Sequence, residues 1–174
     1  FKDFGSGSSG IPKQNITISS IANKSLSLPY QCQVMSRICK YFEPAKVLEL
    51  GTSLGISTAY LASGYMEAQL LTLEGDPNCI RIANEVFKKL GLININTILG
   101  PFNETLEPSL RSLTTLDLVF MDGHHDKVAT LSYFKQLKAY CHEYSIIIID
   151  DIYWSGGMQE AWKQLTADKD VTLS

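Results

Sequence analysis

The sequence has no long basic run, no apolar run of membrane length and no pair of cysteines at the spacing of a metal site. Its 15 lysines and arginines are outnumbered by 18 acidic residues, and no basic cluster is longer than Lys88-Lys89, so nucleic acid is not an expected partner. Because no stretch approaches about 20 consecutive apolar residues, a membrane span is not expected either. No secretory signal is recognisable, which favours a cytoplasmic protein.

Cysteine is also scarce, with 4 among 174 residues. Their positions show neither C-x-x-C spacing nor the density of a disulfide scaffold, which is typical of reduced, mostly buried thiols. The cysteines are Cys32, Cys39, Cys79 and Cys141. The hydrophobic share of 45% and the length predict one globular domain, which we place at residues 27–174. Residues 1–26 are expected to form a flexible tail and a short lid segment.

The stretch around which the chain is organised is residues 47–57, VLELGTSLGIS. Residues 46–50 read as a buried parallel strand, and residues 56–63 resume with helical period. Gly51 and Gly55 between them allow a sharp turn and a close backbone approach to a ligand, as in nucleotide-like cofactor sites. The dinucleotide fingerprint is incomplete, because Ser53 stands where its second glycine belongs.

Glu49 indicates which kind of ligand this turn would suit. A carboxylate at the end of the strand repels phosphate and attracts a cation, and S-adenosylmethionine carries an ammonium and a sulfonium but no phosphate. The alternative is an ordinary strand-to-helix turn with a surface glutamate. Ser57 and Thr52 could hold a cofactor carboxylate, and capping of the helix explains either almost as well.

Strand and helix patterns alternate along the rest of the chain. Further strands are predicted at residues 69–73, 94–99, 116–121 and 146–149, and residues 171–173 are a candidate start of a sixth. Helices are predicted from near Pro29 to before Pro44, and at about 78–90, 104–113, 127–141 and 157–165. This predicts an α/β, Rossmann-like, doubly wound and mostly parallel sheet with helices on both faces. Four consecutive isoleucines at 146–149 predict a central strand.

Acidic residues follow four of the predicted strands, at the edge where such sheets bind ligands. Glu74 comes 23 residues after Gly51, near the offset of an acid that binds ribose hydroxyls, although a solvated loop acid is the alternative. Asp122, Asp150 and Asp151 offer the oxygen ligands that Mg²⁺ prefers. The alternative explanation of Asp150 and Asp151 is that they cap a helix or form a turn.

These aspartates would repel one another if they converge, so they need either a metal ion or a raised pKa. His124 and His125 follow Asp122 at the same strand end, where one of them could bind a metal or act as a general base.

Four motifs together resemble the class I S-adenosylmethionine-dependent methyltransferases, in particular the catechol and caffeoyl-CoA O-methyltransferase branch and its small bacterial relatives. They are ELGTSLGIS, TLEGDP, DLVFMDGHH and IIIIDDIYWSGGM, in the family's order and spacing across residues 28–165. The resemblance implies that the methionine part of the cofactor lies near Glu49, Gly51 and Ser57, the ribose near Glu74, and adenine near Phe102 and Asn103. The full implied cofactor set is Glu49, Gly51, Thr52, Ser53, Gly55, Ser57, Glu74, Phe102, Asn103 and Asp122.

The same resemblance implies Mg²⁺ ligands at Asp122, Asp150 and Asp151, the third of which is usually Asn in the family. A lysine that helps deprotonate the acceptor stands three residues after the first ligand in the metal-dependent branch, and here that position holds His125. The resemblance to a bacterial DGxH form implies that His125 is the base. The substitution leaves both the use of a metal and the acceptor open.

The family closes its sheet with two further strands, and this sequence has at most the start of one, so we expect an incomplete closing hairpin. The open strand edge would favour a homodimer. Our prediction is an S-adenosylmethionine-dependent enzyme that O-methylates a small hydroxylated molecule, with Asp122 and His125 catalytic. The alternatives are a nicotinamide-dependent oxidoreductase on a Rossmann sheet and a non-catalytic cofactor-binding module.

Overall fold

A computed structural model describes residues 27–172. The predicted tail and lid segment at residues 1–26 lies outside these described residues. The strands are β1 (Lys46–Leu50), β2 (Gln69–Glu74), β3 (Ile95–Leu99), β4 (Leu116–Met121) and β5 (Cys141–Ile149). The helices are α1 (Pro29–Phe42), α2 (Ile56–Gly64), α3 (Pro77–Leu90), α4 (Phe102–Leu113), α5 (Lys127–Lys138) and α6 (Gly156–Thr166).

The five strands form one parallel sheet in the order β3-β2-β1-β4-β5. The chain runs outward from β1 to β3 on one side and then crosses over to β4 on the other. The order therefore reverses between β1 and β4, where doubly wound sheets open a crevice beyond the carboxyl ends of the strands. The predicted α/β, Rossmann-like, doubly wound fold is confirmed.

Each face of the sheet carries its own layer of helices, because successive strand side chains point to opposite faces. Val47 packs with α1 and α2, whereas Leu48 and Leu50 pack with α4 and α5. Helix α3 joins the first layer where Ala83 and Phe87 meet α2. Helix α6 packs along α5. No helix in residues 27–172 is both long and apolar enough to cross a membrane.

Local sequence signals account for where α3 begins and ends. Asp76 precedes it and accepts a hydrogen bond from the Asn78 N–H at 2.7 Å, which satisfies one of the free donors at the helix start. Pro77 occupies the first turn, where no hydrogen bond is lost. Gly91 ends the helix with φ of 69°, a conformation that suits glycine.

The segment between α5 and β5 differs from the prediction. The helix predicted to reach Cys141 ends at Lys138, and the strand predicted to begin at residue 146 begins at Cys141. Leu137 and Cys141 are four residues apart and so mimic a continuing helix face. The backbone instead places the Tyr140 carbonyl where it accepts a hydrogen bond from the Leu116 N–H at 3.0 Å.

The isoleucine strand lies at the edge of the sheet that the described residues form. Within residues 27–172, β5 pairs only with β4, so its predicted central position stays a prediction. Ile146, Ile147, Ile148 and Ile149 are accordingly only half-buried. The predicted sixth strand does not form at Val171 and Thr172, and Leu173 lies outside the described residues.

Candidate active site

The predicted site residues surround the crevice at the carboxyl ends of β1, β2, β4 and β5. The backbone here is unusual. Among the described residues, six non-glycine residues have positive φ, and two of them, Glu43 and Thr114, end helices. The other four lie at this edge, and they are Ser53, His124, His125 and Asp151. Such conformations cluster where the surrounding structure imposes them, often at functional sites.

Gly51 brings the turns after β1 and β4 together. Its φ is 107°, and a Cβ atom at this position would lie 2.1 Å from the carbonyl oxygen of Asp122. Its N–H donates to the Leu73 carbonyl at 3.0 Å, and the Asp122 N–H donates to the Leu50 carbonyl at 2.9 Å. A side chain at residue 51 would therefore force the Asp122 backbone away from the crevice.

Packing inside the protein explains why residue 55 is glycine, whereas the sequence predicted a close approach to a ligand. The φ of Gly55 is 82°, and a Cβ atom here would lie 2.7 Å from the Phe87 ring and 2.9 Å from the Cβ atom of Ala83. The close approach is thus to α3, inside the protein. Its predicted direct contact with the cofactor stays a prediction.

The Glu49 carboxylate is fully buried at the centre of a hydroxyl network. It accepts hydrogen bonds from the hydroxyls of Ser57 at 2.6 Å, Thr58 at 2.5 Å and Thr72 at 2.6 Å. Burial raises the pKa of Glu49 to about 7, although the three hydroxyl donors lower it. The surface-glutamate alternative is therefore wrong. The direct contact of Glu49 with a cofactor stays a prediction.

Neither Thr52 nor Ser57 caps a helix, so that alternative is wrong as well. The residue that precedes α2 is Gly55, which makes no side-chain capping bond. The Thr52 hydroxyl lies 2.6 Å from the Thr72 hydroxyl, and that of Ser57 donates to Glu49. Both hydroxyls thus hold β1, β2 and α2 together, and their contact with a cofactor stays a prediction.

Glu74 lies at the end of β2 and reaches back to the turn after β1. Its Oε2 accepts from the Ser53 N–H at 2.9 Å, and its Oε1 accepts from the Asp76 N–H at 2.9 Å. Burial raises its pKa, and these backbone donors lower it. A carboxylate has about four acceptor positions, so Glu74 keeps acceptor capacity for ligand hydroxyls. It is not the solvated loop acid of the alternative.

Phe102 and Asn103 open α4 at the same edge of the sheet. The Phe102 ring meets the Tyr133 ring edge-on, with centroids 5.7 Å apart, and Asn103 is exposed. The position of Phe102 is tied to the next loop, because a Cβ atom at Gly123 would lie 2.8 Å from the Phe102 ring. The predicted contact of these two residues with adenine stays a prediction.

Asp122, His125 and Asp151 form one cluster, in which a ligand atom of each lies within 4.8 Å of the others. His125 Nε2 is 3.8 Å from an Asp122 oxygen, and Nδ1 is 3.5 Å from an Asp151 oxygen. The imidazole also packs against the Trp154 ring, with centroids 5.8 Å apart. The structure therefore brings the predicted base and two of the predicted metal ligands together.

Asp150 lies outside this cluster, although its charge raises the pKa of Asp122 more than the charge of Asp151 does, and its role as a metal ligand stays a prediction. Its Oδ1 accepts a hydrogen bond from the Asp151 N–H at 2.8 Å. This hydrogen bond is part of a turn, in agreement with the alternative explanation that Asp150 takes part in turn formation. The helix-capping alternative is wrong, because Ser155 caps α6 by accepting from the Met158 N–H at 3.1 Å.

Negative charge accumulates around Asp122. Burial and, after it, the nearby charges of Asp150, Asp151 and Glu49 together raise its pKa to about 8. The site segments 49–57, 74–76, 122–125 and 150–151 contain acids but neither lysine nor arginine. A cation bound by these acids would relieve their repulsion, so the donor set fits a divalent metal ion and a positively charged cofactor. The two carboxylates suit Mg²⁺ or Mn²⁺, whereas an imidazole is a ligand that Zn²⁺ and Fe²⁺ prefer.

Several residues at the site were missed from the sequence. Thr58 and Thr72 bind Glu49, and Tyr133 lies 3.0 Å from His124. Thr72 stands opposite Glu49 in the β1–β2 register. A polar residue at the middle of an otherwise apolar strand was the one available signal, because such a side chain needs a buried partner.

Comparison with known proteins assigns the family. The sequence profile described as a methyltransferase domain matches residues 48–152, which is more than half of the chain. The catechol O-methyltransferase of Mycobacterium tuberculosis is 30% identical over 115 residues, which cover 65% of this chain and 50% of that protein. The chain spans about half the length of the curated relatives it matches.

Solved structures agree in fold. The O-methyltransferase TomG of Streptomyces achromogenes, in complex with SAM, has a TM-score of 0.76 at 19% identity over 86% of this chain and 73% of that chain. An O-methyltransferase from Bacillus cereus, in complex with SAH, has a TM-score of 0.75 at 20% identity over 87% of this chain and 76% of that chain. At these identities the likeness shows the fold alone. With the profile match, the resemblance predicted from the four motifs is confirmed, and the chain belongs to the methyltransferase domain family.

Proposed function

We propose that this chain provides the cofactor and metal site of an S-adenosylmethionine-dependent O-methyltransferase that acts on a small hydroxylated molecule. The observation that carries the proposal is the contact between the turns after β1 and β4. Because Gly51 lies against the Asp122 backbone, the predicted cofactor turn and the Asp122 cluster share one wall of the crevice. A donor and an acceptor bound there would be adjacent, which is the main requirement of a transfer reaction.

The cofactor side of the crevice would be formed by the turn after β1 and by Glu74. Glu74 is held in place by Ser53 and Asp76 and would accept hydrogen bonds from the ribose hydroxyls. A bound cation would favour the ionised forms of Glu49 and Asp122, so this side of the crevice would bind a cationic ligand in preference to a phosphate. When bound, S-adenosylmethionine supplies the methyl group on a positively charged sulfur. Phe102, at the start of α4, would lie near adenine.

The acceptor side would be formed by Asp122, His125 and Asp151. The two carboxylates would hold a divalent cation, which, when bound, lowers the pKa of a coordinated hydroxyl. His125 would take the proton from the acceptor hydroxyl, and the carboxylates on either side of its ring would stabilise the resulting imidazolium. Trp154 packs on this imidazole and would limit its rotation.

A methyl-transfer assay tests this function. Trideuteromethyl S-adenosylmethionine and a panel of catechols and monophenols would be incubated with the chain in the presence of Mg²⁺, Mn²⁺ or EDTA, and products detected by mass spectrometry. We expect a labelled methyl ether that disappears with EDTA and with Asp122→Asn. The control is Glu67→Gln, because Glu67 is exposed beside the opposite end of β2.

His125→Gln separates the two roles open to His125. The proposed base predicts lost transfer with unchanged Mn²⁺ affinity, whereas a metal ligand predicts a loss of Mn²⁺ affinity as well. Transfer that persists in Asp122→Asn would contradict the proposed metal site. Oxidation or reduction of a substrate with NADH, without methyl transfer, would favour the oxidoreductase alternative.

A further inference from the structure

Tyr133 is a buried tyrosine of α5 that reaches the candidate active site without belonging to the predicted site residues. It is 7% exposed, and its hydroxyl lies 3.0 Å from Nδ1 of His124. Burial raises the pKa of Tyr133, so the side chain stays a phenol with a hydroxyl proton at neutral pH. A buried hydroxyl needs such a partner, and His124 provides it.

His124 has a backbone conformation that surrounding contacts must hold. Its φ is 71° and that of the following His125 is 26°. Positive φ is uncommon for non-glycine residues, and although histidine adopts it more often than most, here two successive residues have it. The loop also begins at Asp122 and ends beside α5, so any relaxation of His124 would move residues on both sides. Strained backbone persists only where surrounding contacts hold it.

Phe102 supports the same loop from the other side. Its ring packs on Tyr133 at an interplanar angle of 80° and lies so close to Gly123 that no Cβ atom would fit between them. The Tyr133 ring thus contacts Phe102, while its hydroxyl contacts His124. One side chain connects the predicted adenine contact with the loop that carries the predicted base.

We propose that Tyr133 is a positioning residue whose hydroxyl holds the His124 imidazole, and through it the loop backbone, in place and thereby sets His125 against Asp122 and Asp151. The effect on turnover rests on the proposed function; the effect on the histidine loop does not. The competing explanation is an ordinary core tyrosine that stabilises the fold and leaves His125 unaffected.

Tyr133→Phe tests the proposal, because it removes the hydroxyl and keeps the ring against Phe102. Tyr41→Phe is the matched control, since Tyr41 is 80% exposed on α1. The sequence has only three histidines, so a ¹⁵N spectrum of the imidazoles reports on each of them. His142, whose Nε2 lies 2.8 Å from Asp117 at the opposite edge of the sheet, is an internal reference.

We expect Tyr133→Phe to change the chemical shifts of both His124 and His125 and to leave those of His142 unchanged. A change confined to His124, which touches the hydroxyl directly, would overturn the proposal. Tyr41→Phe should change none of the three. This measurement needs neither cofactor nor substrate, so it decides the role of Tyr133 even where the proposed function fails.

The kinetic arm separates positioning from stability. We expect Tyr133→Phe to lower kcat for methyl transfer about tenfold, as for the loss of one hydrogen bond, while KM for S-adenosylmethionine stays within about twofold because the Phe102 contact is kept. An unchanged kcat, or a raised KM alone, would overturn the proposal. A wild-type chain that binds no cofactor would contradict the proposed function instead, and the imidazole spectra would still test Tyr133.

Discussion

Replacing Glu49 by Gln should remove a pH dependence of stability that originates in the protein interior. The pKa of Glu49 is raised from 4.5 to about 7, chiefly by burial. A raised pKa means that the folded state binds the proton more tightly than the unfolded state does. The stability from this group is therefore complete below pH 4.5 and is lost as the pH rises through about 7. A difference of this size corresponds to roughly 3 kcal/mol.

Urea unfolding between pH 5 and 8, followed by tryptophan fluorescence, measures this effect. The free energy of unfolding of Glu49→Gln minus that of the wild type should rise with pH by an amount approaching roughly 3 kcal/mol. Gln keeps the shape of the side chain, and the exposed Glu67→Gln controls for the loss of one negative charge. A difference between Glu49→Gln and wild type that stays constant over this range would show that Glu49 has no raised pKa in the folded protein.

Two further predictions concern the same turn and its hydroxyl network. Gly55→Ala should lower the free energy of unfolding by about 3 kcal/mol or more, because it adds a clash with Phe87 to an unfavourable φ, whereas Gly91→Ala meets no atom within 4 Å and should lose only about 1 kcal/mol. Equal losses of the two variants in thermal unfolding would contradict this. Thr72→Val removes a hydrogen bond that lowers the pKa of Glu49, so its stability should fall at a higher pH than that of the wild type in the urea series. If stability falls at the same pH in Thr72→Val and in the wild type, the Thr72 hydroxyl does not lower the pKa of Glu49.

Features set by a short stretch of sequence were predictable. β1 and β4 have the predicted bounds, because each is an apolar run between residues that favour turns. The acids that follow the strands lie at one edge for the same topological reason, since parallel strands share a direction. Features that depend on which strands pair, and in which register, were not predictable from the sequence. Thr72 becomes a partner of Glu49 only through the β1–β2 register, which joins residues 23 apart in sequence.

The backbone conformation of the loops accounts for another part of what was missed. Asp151 has φ of 54°, and His125 has φ of 26°. In this conformation their side chains meet, whereas Asp150 hydrogen-bonds to the backbone of Asp151. A sequence motif does not report such rotations. The isoleucines of β5 show the same limit in another form, because apolar composition indicates an apolar environment and not the number of neighbouring strands.

Calorimetric titration with S-adenosylhomocysteine tests whether the crevice between β1 and β4 binds S-adenosylmethionine through Glu74. Wild type and Glu67→Gln should bind with the same affinity, and Glu74→Gln should bind at least about tenfold more weakly, because it replaces an acceptor oxygen by an amide donor. Repeating the titration with Mn²⁺ and with EDTA shows whether the cation contributes. No binding by the folded wild-type chain would contradict a cofactor site in this crevice, and equal binding by Glu74→Gln would contradict the role of Glu74.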